Sequence, residues 1–145
     1  MTELDIQIQV ADYLRLQYPS VLFHSDYGSG LRLTPGQAVK QKRLQGGRRA
    51  WPDMFIAEPR IITTDRLTNR QTLYSGLFLE LKREGTKIYK KNGELVANSH
   101  IREQAAVLDK LRRCGYKAEF ACGFDEAKKI IDEYLGDPED EEVEF

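Results

Sequence analysis

Acidic and basic side chains stand on two predicted strands at a spacing that suits metal-assisted chemistry. Asp53 follows Pro52 at the start of one strand, and Glu80 and Lys82 lie on another, with 26 residues between Asp53 and Glu80. Because side chains alternate along a strand, Glu80 and Lys82 point to one face, among apolar neighbours. If Asp53 lies on the adjacent strand, the two carboxylates would bind a hard divalent cation through oxygen. Such a cation activates water and neutralises charge on a phosphate, and Lys82 could orient that water or stabilise the developing charge.

A structural interpretation of the same residues stays open, namely a structural aspartate and an ion pair between Glu80 and Lys82. Two glutamines favour the polar site. Gln104 and Gln7 each stand on the apolar stripe of a predicted helix, and Glu3 precedes Gln7 by one turn. Polar groups that face a core need hydrogen-bond partners or a site to serve. Each amide alone fits a satisfied core residue, but both together fit a shared polar site better.

These residues must be positioned by helices and strands that the hydrophobic periodicity predicts. In chain order the predicted elements are a helix (3–18), a strand (21–24), a loop (25–36), a short basic helix (37–44), a strand (52–57), a continuation of the sheet at Ile61 and Ile62, a polar turn (65–71), a long strand (72–82), a hairpin turn at Asn92-Gly93, a helix from His100 to about Cys114, a strand (117–121) and a helix capped by Asp125 that ends at Leu135. This order predicts an α/β fold with a mixed β-sheet flanked by helices.

Length and composition fit one soluble domain. The chain has 145 residues, of which 41% are hydrophobic and 31% charged, so we expect a single domain over 1–136 and an acidic, disordered tail over 137–145. No apolar run reaches the roughly 18 residues of a membrane span, and the acidic first residues do not suit a secretory signal. Cys114 and Cys122 are too few for a disulfide framework, so we expect reduced thiols and a cytoplasmic location.

The charge is unevenly distributed. Residues 40–91 carry 13 basic and 5 acidic side chains, whereas residues 137–145 carry six acids and no base. A basic middle suggests a polyanionic partner such as nucleic acid, although a solvated charged surface explains it equally well. Trp51 could stack on an unpaired base, but we expect it in the core. The candidate nucleic-acid-binding residues are Lys40, Lys42, Arg43, Arg48, Arg49 and Lys87.

The order and spacing of these motifs resemble the PD-(D/E)XK nuclease superfamily and, within it, the VRR-NUC domain, which occurs alone in phage and bacterial proteins. The similarity covers about residues 3 to 135, nearly all of the chain. Trp51 departs from the pattern, because family members often carry glycine before Pro-Asp, and the segment 58–74 looks longer than the family core needs. The motifs that carry the resemblance are Glu3-x-x-x-Gln7, Pro52-Asp53, Glu80-Leu81-Lys82, Glu103-Gln104, Gly115-Tyr116 and Gly123-Phe124-Asp125-Glu126-Ala127.

The resemblance implies a restriction-endonuclease-like core that hydrolyses DNA phosphodiester bonds with Mg²⁺ or Mn²⁺. Asp53 and Glu80 would bind the metal with the help of the Leu81 carbonyl, and Glu3 would be an additional ligand. Lys82 would be the catalytic lysine, and Gln104 would support the site from its helix. Gln7 would be a supporting residue in the first helix.

The leading functional hypothesis is therefore a metal-dependent DNA endonuclease that prefers flapped or branched DNA, such as a four-way junction. The competing hypothesis is a nucleic-acid-binding protein with a vestigial nuclease site, and RNA cleavage also stays open. Symmetric cutting of a junction needs two active sites, so we expect a homodimer. A stand-alone domain of this type suggests a bacterial cell, or one infected by a phage, and a role in DNA repair or recombination.

Overall fold

The computed structural model of the chain describes residues 1–27, 32–48 and 50–136. The predicted acidic tail and Arg49 lie outside the described residues. None of the helices in the described ranges is both long enough and apolar enough to cross a membrane. In chain order the elements are α1 (Glu3–Gln17), β1 (Phe23–Ser25), α2 (Pro35–Leu44), β2 (Met54–Ile56), β3 (Arg60–Asp65), β4 (Arg70–Tyr74), β5 (Leu77–Lys82), α3 (Ser99–Arg113), β6 (Lys117–Cys122) and α4 (Phe124–Leu135).

The main sheet is mixed and has the strand order β1-β2-β5-β6. β1 pairs with β2 and β2 with β5 in antiparallel fashion, whereas β5 and β6 are parallel. The parallel pair needs a crossover, and α3 supplies it. This arrangement confirms the predicted α/β fold with a mixed sheet flanked by helices.

β5 is the centre of the fold, because helices cover both of its faces. Leu77, Leu79 and Leu81 pack into one apolar cluster with residues of α1 and α4. Phe78 packs on the opposite face with residues of α3 and β6. All six residues of β5 are consequently buried, including the charged Glu80 and Lys82.

The segment between β2 and β5 differs from the prediction. Ile61 and Ile62 do not continue the main sheet, because β3 and β4 pair only with each other in a separate two-stranded sheet. The predicted long strand over 72–82 is two strands that are interrupted at Gly76. A Cβ at Gly76 would lie 2.7 Å from the Phe55 ring and 2.8 Å from the Ile56 carbonyl oxygen, so only glycine fits at this position between β4 and β5.

Two glycines with positive φ shape the ends of other elements. Gly93 has a φ of 85° in the predicted hairpin turn, where Tyr89 and Leu95 form an antiparallel bridge, so the turn is confirmed. α4 starts from Gly123 (φ 89°) instead of Asp125, and it has no side-chain cap. The Gly123 N–H donates to the Lys82 carbonyl at 2.9 Å and continues the β5–β6 ladder, which explains why the helix begins here.

We predict that Gly76→Ala lowers the free energy of unfolding by about 1–3 kcal/mol, because the added methyl group overpacks against backbone and a packed ring. Denaturant unfolding would measure the change. Gly36→Ala is the matched control, since nothing lies within 4 Å of a Cβ at that position of α2. This control should change stability by less than about 1 kcal/mol. Equal effects of the two substitutions would contradict the steric explanation.

Candidate metal centre and cleft

Asp53 and Glu80 are neighbours across β2 and β5. Met54 pairs with Leu79, so the same antiparallel register continued by one residue puts Asp53 opposite Glu80. Directly opposed residues on one face of an antiparallel pair have Cβ atoms roughly 4.5–5.5 Å apart. Asp53 is 9% exposed and Glu80 only 3%. The structure therefore brings the two sequence-predicted carboxylates together in a largely buried position.

The Pro-Asp pair ends the β2–β5 ladder in a particular way. In the continued register Pro52 lies opposite Leu81, and proline has no N–H to donate to the Leu81 carbonyl. The Leu81 N–H donates instead to Asp53 Oδ2 at 2.7 Å. Because the N–H and C=O of one strand residue point to the same side, the Leu81 carbonyl also faces the Asp53 side of β5. The Asp53 carboxylate and the Leu81 carbonyl thus lie on the same side of β5, where the β2–β5 ladder ends.

The two carboxylate oxygens of Glu80 have different surroundings. Gln104 Nε2 donates to Glu80 Oε1 at 2.8 Å, whereas Oε2 is buried and has no hydrogen-bond partner among the described residues. Burial and the nearby Asp53 carboxylate raise the pKa of Glu80 far above its ordinary value, and the Lys82 ammonium offsets only part of this effect. A cation beside the two carboxylates would favour the ionised form.

Lys82 lies on the same face as Glu80, two residues further along β5, and is 6% exposed. Its parallel neighbour on β6 is Cys122. Among residues in the described ranges, none forms a hydrogen bond or an ion pair within 4 Å with the Lys82 ammonium. A buried cation of this kind is costly in a purely structural role, since no described side chain provides the close ion pair that usually offsets desolvation.

The oxygen atoms at this position suit a hard divalent cation, but the protein provides few of them. In the part of the chain that the structure describes, no group of three or more histidine, cysteine, aspartate or glutamate side chains converges on one point. The available oxygens are those of Asp53, Glu80 and the Leu81 carbonyl. Glu3 lines the same cleft from the first turn of α1, and its charge contributes to the raised pKa of Glu80. Its predicted role as a ligand stays a prediction.

Gln7 acts at a distance from the carboxylates. It is 5% exposed, and its Nε2 donates to Ser25 Oγ at 2.6 Å and to the Asp26 carbonyl at 2.8 Å. The Asp26 N–H in turn donates to the Asp53 carbonyl at 2.8 Å. Gln7 thus fixes the segment after β1 that holds the backbone of Asp53.

An open cleft of about 430 Å³ leads to the carboxylates. Asp53, Glu80 and Gln104 form its floor, and α2 together with Gln45, Ala50 and Trp51 forms one wall. Trp51 is 37% exposed, so the expectation that it belongs to the core is wrong. Its Nε1 donates to the Gln45 carbonyl at 3.2 Å, which fixes the ring at the rim of the cleft.

The predicted nucleic-acid-binding residues are distributed unequally around this cleft. All of those in the described ranges are exposed, and Lys42 lines the cleft from α2. Four further residues are exposed but do not line the cleft, namely Lys40, Arg43, Arg48 and Lys87.

His100 is a site residue that the sequence analysis missed. Its ring lines the cleft, and its Nε2 lies 3.2 Å from Gln104 Nε2. His100 and Gln104 are four residues apart on α3, a spacing that puts side chains next to each other on a helix. That spacing is the signal in the sequence that indicates a shared position.

Comparison with known proteins agrees on the fold. No protein-family model matches the chain, and no curated protein matches it. A solved structure described as a VRR_NUC domain protein is similar, with a TM-score of 0.58 and 22% sequence identity over 93% of this chain and 88% of that chain. The likeness shows that the two chains share a fold.

The raised pKa of Glu80 predicts how stability depends on pH in the presence of a chelator. Between the unfolded-state pKa of roughly 4.3 and the raised folded-state pKa, the folded protein holds a proton that the unfolded chain has lost. Stability should therefore fall as pH rises through this range. Glu80→Gln removes the titration, so the variant should lose this part of the pH dependence and be more stable than the wild type above neutral pH.

Thermal unfolding of the two proteins across this pH range would measure the effect. Glu133→Gln on α4 serves as the control, since Glu133 is exposed and forms no ion pair with another described residue. It should keep the pH profile of the wild type. A Glu80→Gln protein with an unchanged profile would show that Glu80 titrates as an ordinary carboxyl group.

Proposed function

We propose that this protein is a nuclease that hydrolyses DNA phosphodiester bonds with Mg²⁺ or Mn²⁺ at the Asp53–Glu80 pair. The observation that carries the proposal is the buried Glu80 Oε2, which lacks a hydrogen-bond partner among the described residues and lies beside Asp53 at the floor of an open cleft. The shared fold with a VRR_NUC domain protein supports the same function. The sequence motifs that resemble this domain contribute the same residues to the site.

The oxygens of Asp53, Glu80 and the Leu81 carbonyl would hold the cation, and Glu3 would complete the set. When bound, the cation supplies Lewis-acid activation of water and neutralises charge on the phosphate. Two carboxylates and a carbonyl are the ligands that Mg²⁺ accepts, since it keeps several waters and binds few protein groups. The PD-(D/E)XK superfamily would then be the wider class.

The side chains of the protein have separate tasks in this proposal. Lys82 orients the attacking water or stabilises the charge that develops on the phosphate. Gln104 holds Glu80 through Oε1 and leaves Oε2 for the cation. Asp53 is fixed by the Leu81 N–H, so its carboxylate needs no rearrangement before the reaction. In-line attack would leave a 5′-phosphate and a 3′-hydroxyl.

DNA would approach along the wall formed by α2. The exposed basic residues of this wall would contact phosphates and so position the strand without reading its sequence. Flapped DNA or a four-way junction is the substrate class that the family resemblance favours. A homodimer would supply the two sites that symmetric junction cutting needs, and this stays a prediction.

Cation binding should be detectable without any substrate. We predict that millimolar Mg²⁺ or Mn²⁺ raises the Tm of the wild type above its value in chelator, because a ligand that binds only the folded state stabilises it. Asp53→Asn and Glu80→Gln should each abolish the shift. A shift of equal size in the two variants would place the cation elsewhere, and no shift in the wild type would contradict the metal site.

We predict that the wild type cuts end-labelled DNA in Mg²⁺ or Mn²⁺ and not in chelator. Asp53→Asn and Lys82→Met should each lower kcat/KM at least about 100-fold, as expected for the loss of a group that stabilises the transition state. Lys110→Met is the control for Lys82, since Lys110 is exposed on α3 away from the cleft. Single strands, duplex, flaps and a four-way junction would be compared, with RNA as a competitor.

The control variant should cut like the wild type. A folded wild-type protein that binds DNA but never cuts it, with binding unaffected by Asp53→Asn, would instead support a nucleic-acid-binding protein with a vestigial site. DNA cutting that persists in both Asp53→Asn and Lys82→Met would contradict the proposed active site.

A further inference from the structure

Trp51 lies between two depressions on the surface. It lines the cleft of about 430 Å³ that leads to Asp53 and Glu80. It also lines a second depression of about 450 Å³, whose other walls include Phe55, Phe78 and His24. Both depressions also reach Asp26 and Asp53, whereas Glu80 lines the first and Phe55 and Phe78 line the second. It stands two residues before Asp53, so its position relative to the carboxylates is fixed by a short segment of backbone.

The indole is held in one orientation although more than a third of its surface is exposed. Nε1 donates to the Gln45 carbonyl at 3.2 Å, and the ring packs on Phe78 with the two centroids 6.3 Å apart. Phe78 in turn stacks on Phe55 at 4.4 Å. A large aromatic side chain that is anchored in this way and still open to solvent is a preorganised contact surface, because little conformational freedom remains to be lost on binding.

The charge around Trp51 indicates what it contacts. Exposed Lys42 lines the cleft from α2 together with Trp51, and exposed Arg48 lies three residues before Trp51 in the chain. A groove that combines basic side chains with an exposed aromatic ring suits a single strand of nucleic acid, since the basic groups follow the backbone while the ring stacks on a base. In an intact duplex the faces of the bases are already covered by their neighbours, and a base must first be unstacked before a side chain can stack on it.

We infer that Trp51 stacks on an unpaired base of the nucleotide next to the phosphate that is cut, and that the site therefore takes a single-stranded segment of DNA. The inference rests on the proposed nuclease function. It makes Trp51 a specificity-determining residue that selects unpaired over paired DNA. It also gives a physical reason for a preference for flaps, in which one strand leaves the duplex.

Trp51 is the single tryptophan of the chain, so its fluorescence reports on this contact alone. The wild type would be titrated in EDTA, where no cutting is expected, with a short oligothymidylate and with an abasic oligomer of the same length. Anisotropy of a dye on each oligomer would report binding in parallel. We expect the thymidine oligomer to quench the tryptophan and the abasic oligomer to bind with little quenching. Equal quenching by both, or no binding of either, would overturn the inference.

Variants separate stacking from folding. Trp51→Phe should bind both oligomers nearly as the wild type does, because phenylalanine keeps a ring for stacking. Trp51→Ala should weaken binding of the thymidine oligomer roughly 5- to 150-fold, the range expected for losing one stacked base, and leave the abasic oligomer unchanged. Tyr89→Ala is the control, since Tyr89 is 53% exposed and lies outside both depressions. An equal loss for both oligomers in Trp51→Ala would contradict a base contact.

The two proposals fail in different ways. Base-dependent quenching without metal-dependent cutting would remove the nuclease and leave the aromatic contact. Metal-dependent cutting with equal activity on single strands and intact duplex, and no base-dependent quenching, would remove the stacking role and leave the nuclease.

Discussion

The hydrogen bond from the Leu81 N–H to Asp53 Oδ2 is the interaction on which the site depends. It forms where the ladder between β2 and β5 stops, because Pro52 has no N–H to donate across to Leu81. A side-chain carboxylate replaces the next rung and is thereby fixed against the strand that carries Glu80 and Lys82. The short Pro-Asp motif is thus a way to end a ladder and to place a carboxylate in one step.

The rest of the site follows from the burial of β5 on both faces. A strand covered by α1 and α4 on one side and by α3 on the other excludes water from Glu80 and Lys82. Desolvation makes the charged forms of such groups costly, which is why the pKa of Glu80 is raised. The same exclusion of water strengthens any interaction with a cation or a phosphate there. The burial of Glu80 and Lys82 thus lowers the stability of the folded protein at the same position where a charged ligand would interact most strongly.

Much of this arrangement could be predicted from the sequence, because alternation along strands is a strong constraint. The shared face of Glu80 and Lys82 and the inward position of Gln104 follow from periods of two and 3.6 residues. The break at Gly76 could not be predicted, since it depends on the position of the Phe55 ring, which is distant in the chain. The exposed position of Trp51 depends likewise on its contacts with Gln45 and Phe78. Both errors concern packing between segments, for which periodicity carries no information.

The two walls of the cleft differ in how firmly they are held. The carboxylates stand on a sheet that forms the centre of both apolar clusters, whereas α2 has no buried residue. α2 is stabilised mainly from within, by a capping box in which Thr34 and Gln37 satisfy each other's backbone N–H groups. Beyond its end, the Gln45 side chain donates to Asp26 at 3.3 Å, and its carbonyl accepts from Trp51. Because little apolar area fixes α2 to the sheet, a change in the width of the cleft costs far less than a displacement of Asp53 or Glu80. In the proposed function, the rigid part of the fold would therefore carry the groups that need exact positioning, and the loosely held helix would carry the surface that adapts to a DNA strand.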